Sequence, residues 1–313
     1  MRRAYFFLFL FLFAQCKTSA DKQAQDADNV PVPKPRRAYD YCYANKSGVF
    51  VFNAGDRIGQ QIKLKATNIQ LSPDGTWLAY TDYSQPDHER RIGLMDLTSQ
   101  KTTLLDTACI NCYGPVWSPD GRYLAYNAMK GTKWLIKYVD RDNTHADFVM
   151  SGDSAQLGYF SPSWTPDSKG IIVQDMSSVY IFDLKGNVLR QIPIADIDTT
   201  MGVGSSERFL LNAKGDKLVF DGESSADTAS GSEDGPPSHL YVYDLPSKKL
   251  TRMDPAGYEC GQPVLKGDTV FCSGFRRTGR AERFSNIYSV DIDGGHFRVA
   301  FKNCQGFSCR TKP

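Results

Sequence analysis

Long hydrophobic runs, histidine and net charge are all scarce in this sequence of 313 residues. After residue 15 no apolar run approaches the roughly 18 residues of a membrane helix, so the sequence predicts no transmembrane span there. Lys and Arg number 37 against 35 Asp and Glu, and residues 1–15 carry Arg2 and Arg3 without any acidic residue. A chain this close to neutral lacks the basic surface of a nucleic-acid-binding protein.

Catalytic motifs are scarce as well. The sequence holds no Gly-x-Ser-x-Gly, the motif that carries the nucleophile of α/β-hydrolase-type peptidases. A metal-dependent lyase would need several histidines converging on one site, and the sequence has only four, which we expect at the surface: His88, His145, His239 and His296. The sequence therefore predicts no catalytic residues, no metal and no cofactor.

A ten-residue phrase recurs along the chain. LSPDGTWLAY (71–80) returns as WSPDGRYLAY (117–126), with weaker copies at 164–173 and 211–220, at spacings of 46 or 47 residues. Pro favours the first central position of a turn, and Gly accepts the positive φ that follows. Each copy therefore predicts a hairpin in which one strand leads into the turn and a longer strand leaves it.

A second pattern places a strand ending in Asn or Asp between the copies. The six such strands end at Asn53, Asp96, Asp140, Asp183, Asp244 and Asp291. Each unit reads as four strands, which is the blade of a β-propeller at its usual period of about 40–45 residues. The sequence predicts an all-β, six-bladed propeller of four-stranded blades. Blade one lacks an innermost strand, and residues 304–308 resemble the opening of blade three, so the C-terminal strand should close the ring.

The SPDG hairpins followed by WLAY or YLAY, and strands such as LYVYDL, resemble the repeats of TolB-like six-bladed propellers over residues 39–309. This resemblance implies a periplasmic, protein-binding module. TolB carries an additional α/β domain before its propeller, whereas here a polar segment precedes the blades. Related propellers are the N-terminal domains of prolyl oligopeptidase-type peptidases. Propeller-type lyases that resemble oligogalacturonide lyase have a similar architecture. The alternative is therefore an enzyme that acts on a small or oligomeric substrate at the channel mouth.

The N-terminus resembles an export signal. Residues 1–15 combine Arg2 and Arg3 with a short apolar run, which is typical of a signal peptide. Phe13 to Cys16 resembles a lipoprotein signal, in which Cys16 is lipidated; the alternative is cleavage after Ala20. Residues 16–38 are polar and Pro-rich and predict a disordered tether to the propeller at 39–313. We expect a monomer in the periplasm, tethered to the outer membrane through the lipid alone.

Seven further cysteines would meet an oxidising compartment, where disulfides are the expected state. Cys260 and Cys272 flank a predicted hairpin turn almost symmetrically and should be bonded to each other. Cys109 and Cys112 should form a smaller bridge; a zinc site is the alternative, although no second ligand pair accompanies them. If residues 305–308 form a strand, Cys304 and Cys309 lie about 16 Å apart, beyond disulfide reach. One of them would then pair with Cys42.

Charge is predicted to segregate on the propeller face where the innermost strands begin. An acidic insertion (222–238) lies there and does not match a Ca²⁺-binding loop. Basic residues on the same face are Arg90, Arg91, Lys130, Lys133, Arg276, Arg277, Arg280 and Arg283. The starts of the innermost strands add Tyr113, Tyr159, Phe160, Arg208 and Gln262. We expect a non-catalytic scaffold that binds an acidic segment of an envelope protein; the alternative is that the charged loops neutralise each other.

Overall fold

The computed structural model describes residues 37–84, 89–105, 109, 111–150, 158–227, 236–277 and 285–312. The predictions of a signal peptide, lipidation at Cys16 and a tether lie outside these residues. So do the positions of His88, Arg280 and Arg283 and residues 228–235 of the acidic insertion. No helix within the described residues is long and apolar enough to span a membrane.

Six antiparallel sheets form a ring, which confirms the six-bladed β-propeller. The strands of blade one are β1 (Tyr41–Asn45), β2 (Gly48–Phe52), β3 (Gln60–Ile62) and the innermost strand β25 (Gln305–Cys309). Blade two comprises β4 (Ala66–Leu71), β5 (Trp77–Asp82), β6 (Arg91–Asp96) and β7 (Thr102–Leu105). Blade three comprises β8 (Cys112–Trp117), β9 (Tyr123–Lys130), β10 (Lys133–Asp140) and β11 (Asn143–Met150).

The other three blades follow the same order from the axis outwards. Blade four comprises β12 (Phe160–Trp164), β13 (Gly170–Gln174), β14 (Ser178–Asp183) and β15 (Val188–Pro193). A single helical turn, α1 (Ile194–Ile197), leads to blade five, which comprises β16 (Met201–Gly202), β17 (Leu210–Leu211), β18 (Lys217–Ser224), β19 (Ser238–Asp244) and β20 (Lys249–Arg252). Blade six comprises β21 (Tyr258–Lys266), β22 (Thr269–Arg276), β23 (Asn286–Asp291) and β24 (Arg298–Phe301).

The repeated phrase forms the predicted hairpin turn, and its serine holds the turn together. Ser72 Oγ donates to Asp74 at 2.6 Å and accepts from the backbone N–H of Trp77 at 2.9 Å. Gly75 has φ +73°, and a Cβ on it would lie 2.2 Å from the carbonyl oxygen of Tyr39. Glycine is therefore required here both by backbone conformation and by the close approach of the chain.

The aromatic residues of the repeated phrase fill the space between blades, as predicted. Tyr80 packs in the cluster between blades one and two. Tyr126 is fully buried in the next cluster, between blades two and three. Tyr123 packs between blades three and four, stacked on Trp164 with ring centroids 5.9 Å apart. These rings add to the aliphatic side chains between blades, and the ring of blades is held mainly by buried apolar area.

The C-terminal strand closes the ring, which confirms the prediction of closure. β25 pairs antiparallel with β1, with Phe307 opposite Tyr43. Phe307 is buried, and Ser308 Oγ accepts a 3.0 Å hydrogen bond from the backbone N–H of Leu71 in blade two. Residues from the two ends of the domain therefore complete one sheet and fix it to its neighbour, leaving no open edge inside the ring.

Blade five differs from the prediction, which started it near residue 207. Its innermost strand begins earlier and is interrupted, with β16 pairing with the end of β18 and β17 pairing nearer its start. Residues 203–209 leave the sheet between these two short strands. This break places Glu207 and Arg208 at the central channel.

Candidate binding site at the channel mouth

A cavity of about 440 Å³ opens at the end of the central channel where the innermost strands begin, and we call it the mouth cavity. Residues of every blade line it: Lys46 and Gly306 from blade one, Asn68 and Gln70 from blade two, Tyr113 from blade three, Ser161 from blade four, Arg208 from blade five and Gln262 from blade six. A second cavity of about 390 Å³ lies towards the face of the SPDG turns. Arg208 and Gln70 line both cavities.

Five innermost strands carry a residue with positive φ at the mouth. These are Asn68 (47°), Gly114 (67°), Ser161 (49°), Gln262 (56°) and Gly306 (59°). At each one the strand register shifts, as in a β-bulge. Bulges re-aim side chains next to functional sites, and a left-handed backbone costs about 1–3 kcal/mol for a residue other than glycine. Three of the five are residues other than glycine, so this costly backbone conformation recurs around one cavity.

A polar side chain of the preceding blade holds several of these bulges. Thr81 Oγ1 accepts a hydrogen bond from the N–H of Gly114 at 3.0 Å. Asn127 Oδ1 accepts one from the N–H of Ser161 at 3.0 Å. Asp221 Oδ2 accepts one from the N–H of Gln262 at 3.2 Å.

The sequence analysis overlooked these polar residues, although the repeat contains a signal for them. Thr81, Asn127, Gln174 and Asp221 each follow the apolar end of a repeated phrase and lie 46 or 47 residues apart. A polar residue recurring at the buried end of a strand predicts a hydrogen-bonded position in a β-sheet. The four are buried in the structure.

Arg208 crosses the channel beneath the mouth cavity. Its Nη2 donates a 3.3 Å hydrogen bond to the carbonyl oxygen of Gly114 in blade three, two blades away. Its Nε is buried without a hydrogen-bond partner in the protein. Burial lowers the pKa of Arg208 to about 10, and the nearby Asp221 and Tyr113 act in the opposite direction. The guanidinium is therefore a charged group that lines both cavities, with donor capacity to spare.

Two carboxyl groups lie near this guanidinium. Burial, followed by the charge of Glu207, raises the pKa of Asp221 to about 7, and the hydrogen bond from Gln262 and the charge of Arg208 lower it only in part. Asp221 Oδ1 and Glu207 Oε2 are buried without hydrogen-bond partners in the protein. A buried carboxyl with a strongly raised pKa, such as Asp221, and unmet hydrogen-bonding capacity are both common at functional sites.

An aromatic wall stands on the blade-three side of the mouth. Tyr113 packs against Trp134 edge to face, with ring centroids 5.0 Å apart. The guanidinium carbon of Arg90 lies 4.4 Å from the centroid of the Tyr113 ring. Burial raises the pKa of Tyr113, while Arg90 and Arg208 lower it. This wall offers an apolar, positively charged surface to a ligand.

Three of the predicted site residues meet in the mouth cavity: Tyr113, Arg208 and Gln262. Tyr159 and Phe160 do not line it. Both are buried, and Tyr159 packs edge to face on the rings of Tyr180 and Phe182 in blade four. The expectation that these two aromatic residues face a ligand was wrong, because the interface between blades three and four takes up Tyr159.

The predicted basic segment of blade six is only partly described. Arg276 is exposed at the end of β22. Arg277 Nε lies 4.0 Å from Glu259 Oε2 in its own blade, a long and half-exposed ion pair worth little stability. In the described part of the acidic insertion, Asp227 contacts His239 and Arg252 of blade five. The rest of both loops lies outside the described residues, and their mutual neutralisation stays a prediction.

His239 was expected at the surface, and this expectation was wrong. Its ring is 2% exposed and bridges two carboxylates, with Nδ1 2.9 Å from Asp254 and Nε2 2.9 Å from Asp227. Arg252 joins both carboxylates. The network ties the start of the insertion to the strands of blade five. Among the described residues, no group of three or more His, Cys, Asp or Glu is arranged to hold a metal ion.

Replacing His239 with Ala should destabilise the propeller by about 2–4 kcal/mol, because it leaves the fully buried Asp254 without one of its partners. Urea unfolding measures the change. The matched control is His296→Ala: His296 also contacts an aspartate, but its side chain is 81% exposed, so the cost should stay below about 0.5 kcal/mol. Equal costs for the two variants would contradict a structural role for the buried network.

The register of blade six brings Cys260 and Cys272 close together. The bulge at 262–263 places Cys260 opposite Gly274, two residues from Cys272 on β22. Both cysteines are buried free thiols that contact each other through a hydrogen bond, which with burial raises the pKa of Cys260. A disulfide between them stays a prediction.

The other predicted cysteine pairs have different outcomes. Cys109 and Cys112 lie with their Cα atoms 6.1 Å apart, within disulfide range, and their bridge remains a prediction. Cys42 lies opposite Ser308 in the β1–β25 ladder, whereas Cys309 lies opposite Tyr41. Adjacent positions on a strand face opposite sides of a sheet, so the side chains of Cys42 and Cys309 point apart. All three of Cys42, Cys304 and Cys309 are free and buried.

The sequence matches no protein-family model, and no curated protein is significantly similar to it. Solved structures do match the fold. TolB from Acinetobacter baumannii superposes with a TM-score of 0.59 at 18% identity, over 87% of this chain and 66% of that one. TolB from Agrobacterium tumefaciens gives a TM-score of 0.56 at 15% identity, over 86% of this chain and 92% of that one.

Peptidases share the same architecture in part of their chains. A puromycin-hydrolysing peptidase of Mycobacterium tuberculosis superposes with a TM-score of 0.54 at 17% identity, and this chain covers 44% of it. At identities this low, the superpositions show a common fold and leave function open. Taken together with the six sheets in a closed ring, the comparisons show that this chain has the fold of the TolB-like six-bladed β-propellers.

Proposed function

We propose that the protein is a non-catalytic scaffold of the cell envelope that binds a segment of another protein at its mouth cavity. The observation that carries this proposal is the ring of left-handed bulges around a cavity whose floor is a buried guanidinium. Strain of this kind persists where a binding surface needs it. The cavity of about 440 Å³ is large enough for one or two side chains or a chain end.

The similarity to TolB proteins and the N-terminal sequence support the envelope location. A signal peptide at residues 1–15, with Cys16 as its lipidated end, would anchor the propeller to the outer membrane. We include this anchor in the proposal, with residues 16–38 as the tether. Mass spectrometry of the mature N-terminus distinguishes acylated Cys16 from cleavage after Ala20.

Charge on the mouth face supports an acidic partner. Arg276 is exposed and Arg277 is held only by a long ion pair, so both can contact a second protein. Lys46 adds an exposed cation at the rim of the mouth cavity. Complementary charges at the rim of an interface act mainly on the association rate and on orientation.

Photo-cross-linking from the two faces of the ring tests the proposal. A photoreactive residue at Lys46, on the mouth rim, should give one cross-linked protein of defined mass in the native host. The same residue at Lys214, which is exposed in a turn on the opposite face, should not. Cross-links from Lys214 alone, or equally from both positions, would contradict binding at the mouth.

Charge reversal on the same background tests the role of the basic residues. Arg276→Glu with Arg277→Glu should reduce the Lys46 cross-link several-fold without changing the melting temperature, because neither side chain has a strong partner among the described residues. Arg190→Glu, on the exposed outer strand of blade four, is the matched control and should leave the cross-link intact. A lowered melting temperature with an undiminished cross-link would instead support pairing within the molecule.

A further inference from the structure

The guanidinium of Arg208 is unusual among the described cations in its position and its partners. It lies between the mouth cavity and the second cavity, where a solvated surface arginine would not be. Its Nη2 makes a 3.3 Å hydrogen bond to a carbonyl oxygen, and its Nε has no partner in the described protein. A guanidinium has five N–H donors in a planar fork, so most of its capacity is unused within the protein.

Neither nearby carboxyl group forms an ion pair with Arg208 among the described residues. Asp221 accepts the backbone N–H of Gln262, and Glu207 accepts the hydroxyl of Ser206 at 3.2 Å. Asp221 acts on Arg208 through its charge at a distance. The fork therefore remains available for a planar, two-oxygen anion, which is the partner that arginine matches best.

We propose that the mouth cavity binds a carboxylate group, held by the guanidinium of Arg208 with the ring of Tyr113 beside the ligand's apolar part. This inference rests on the proposed function, because it names the chemical group of the bound segment that reaches the channel. The carboxylate comes from the C-terminus of a partner chain or from an acidic side chain. Both sources present the same planar group to Arg208.

The acid–base state of the cavity supports an anionic ligand. Burial and the charge of Glu207 raise the pKa of Asp221 to about 7, so protonation of Asp221 below that pH removes a negative charge that competes for Arg208. The titratable groups that face Asp221 are Glu207 and Arg208, with Tyr113 on the far side of the channel.

A pair of small probes that differ only in the carboxylate tests the inference. N-acetylphenylalanine presents a C-terminal carboxylate and a ring for the Tyr113 wall, and N-acetylphenylalaninamide is its neutral counterpart. We expect the acid to bind in the millimolar range by calorimetry or NMR titration, at least tenfold more tightly than the amide. N-acetylglutamic acid α-amide, with a side-chain carboxylate, tells the two sources apart. Equal binding of acid and amide would overturn the inference.

Two variants connect the binding to Arg208. Arg208→Gln keeps a hydrogen-bond donor of similar reach and should abolish discrimination between acid and amide. Should Arg208→Gln fail to fold, Asn68→Asp serves instead: Asn68 is exposed on the mouth rim, and a negative charge there should weaken the acid several-fold and leave the amide unchanged. Unchanged affinity for the acid in either folded variant would refute a carboxylate site.

The pH dependence gives an independent readout. Affinity for the acid should rise about three- to tenfold between pH 8 and pH 6, because Asp221 takes up a proton while the ligand stays ionised. In Asp221→Asn this rise should disappear. A rise that persists in Asp221→Asn would contradict the arrangement.

The outcome is separable from that of the proposed function. Cross-linking from Lys46 without any preference for the acid would leave the scaffold function standing and overturn the carboxylate site. A preference for the acid without a cross-linked protein would support the carboxylate site and contradict the scaffold function.

Discussion

A chain that ends at Asn303 should not form a stable propeller. The deletion removes β25, with buried Phe307, Ser308 and Cys309, and exposes the edge of β1. A fully buried large apolar side chain contributes about 1.5–3 kcal/mol and each ladder hydrogen bond about 1 kcal/mol, so the loss is on the order of 5 kcal/mol or more. This is comparable with the whole stability of a domain.

Thermal unfolding followed by circular dichroism, together with limited proteolysis, measures this effect. The matched control is a chain that ends at Thr311. It retains β25 and loses Lys312. The backbone N–H of Lys312 donates to the carbonyl oxygen of Pro73, and its Nζ donates to that of Asp120. We expect this control to lose less than about 1 kcal/mol. A chain ending at Asn303 that melts cooperatively within a few degrees of the full-length protein would show that closure by β25 is dispensable.

Asp221 should make the propeller less stable as the pH rises from 4 to 7. The unfolded chain ionises this carboxyl near pH 4, whereas the folded chain keeps its proton until about pH 7. Between these values the folded state binds more protons, so the free energy of unfolding falls with rising pH and levels off above pH 7. A shift of roughly three units corresponds to a loss of up to about 4 kcal/mol.

Asp221→Asn should remove the pH dependence of stability between pH 4 and 7. It should also raise the free energy of unfolding at pH 8 by up to about 4 kcal/mol. The amide oxygen can still accept the N–H of Gln262, and the amide nitrogen replaces an acceptor that has no partner in the protein. Urea unfolding at pH 5, 6, 7 and 8 gives the comparison. Asp142→Asn, with a 76% exposed side chain, is the control and should run parallel to the original protein. Parallel curves for Asp221→Asn as well would contradict the buried, protonated state.

The repeats made the architecture predictable because they are local. The SPDG turn needs only its own proline, serine and glycine, and the strands that flank it follow from alternation of apolar residues. Counting the strands that end in Asn or Asp gave six blades, and the unmatched opening of blade one indicated closure by the C-terminus. These features require no knowledge of neighbouring blades.

The site was predictable only in part. Tyr113, Arg208 and Gln262 were placed at the mouth because topology gathers the starts of all innermost strands on one face. Tyr159 was misplaced, since a left-handed bulge at Ser161 and the packing between blades decide which way a side chain points. Asn68, Ser161 and Gln262 share a conformation without sharing a residue type, so the sequence carries no common signal for the bulges.

The sequence by itself determined the number of blades, the hairpin turns and the closing strand, because each follows from short-range periodicity and turn chemistry. Tertiary structure alone decided that Arg208 crosses the channel, that Asp221 is buried beside it, and that Cys260 lies opposite Gly274. Two further features arise where six sheets meet around one axis: the bulges of the innermost strands, and the break in the innermost strand of blade five at residues 203–209. Contacts between residues about a hundred positions apart, such as that of Arg208 with Gly114, have no counterpart in local sequence.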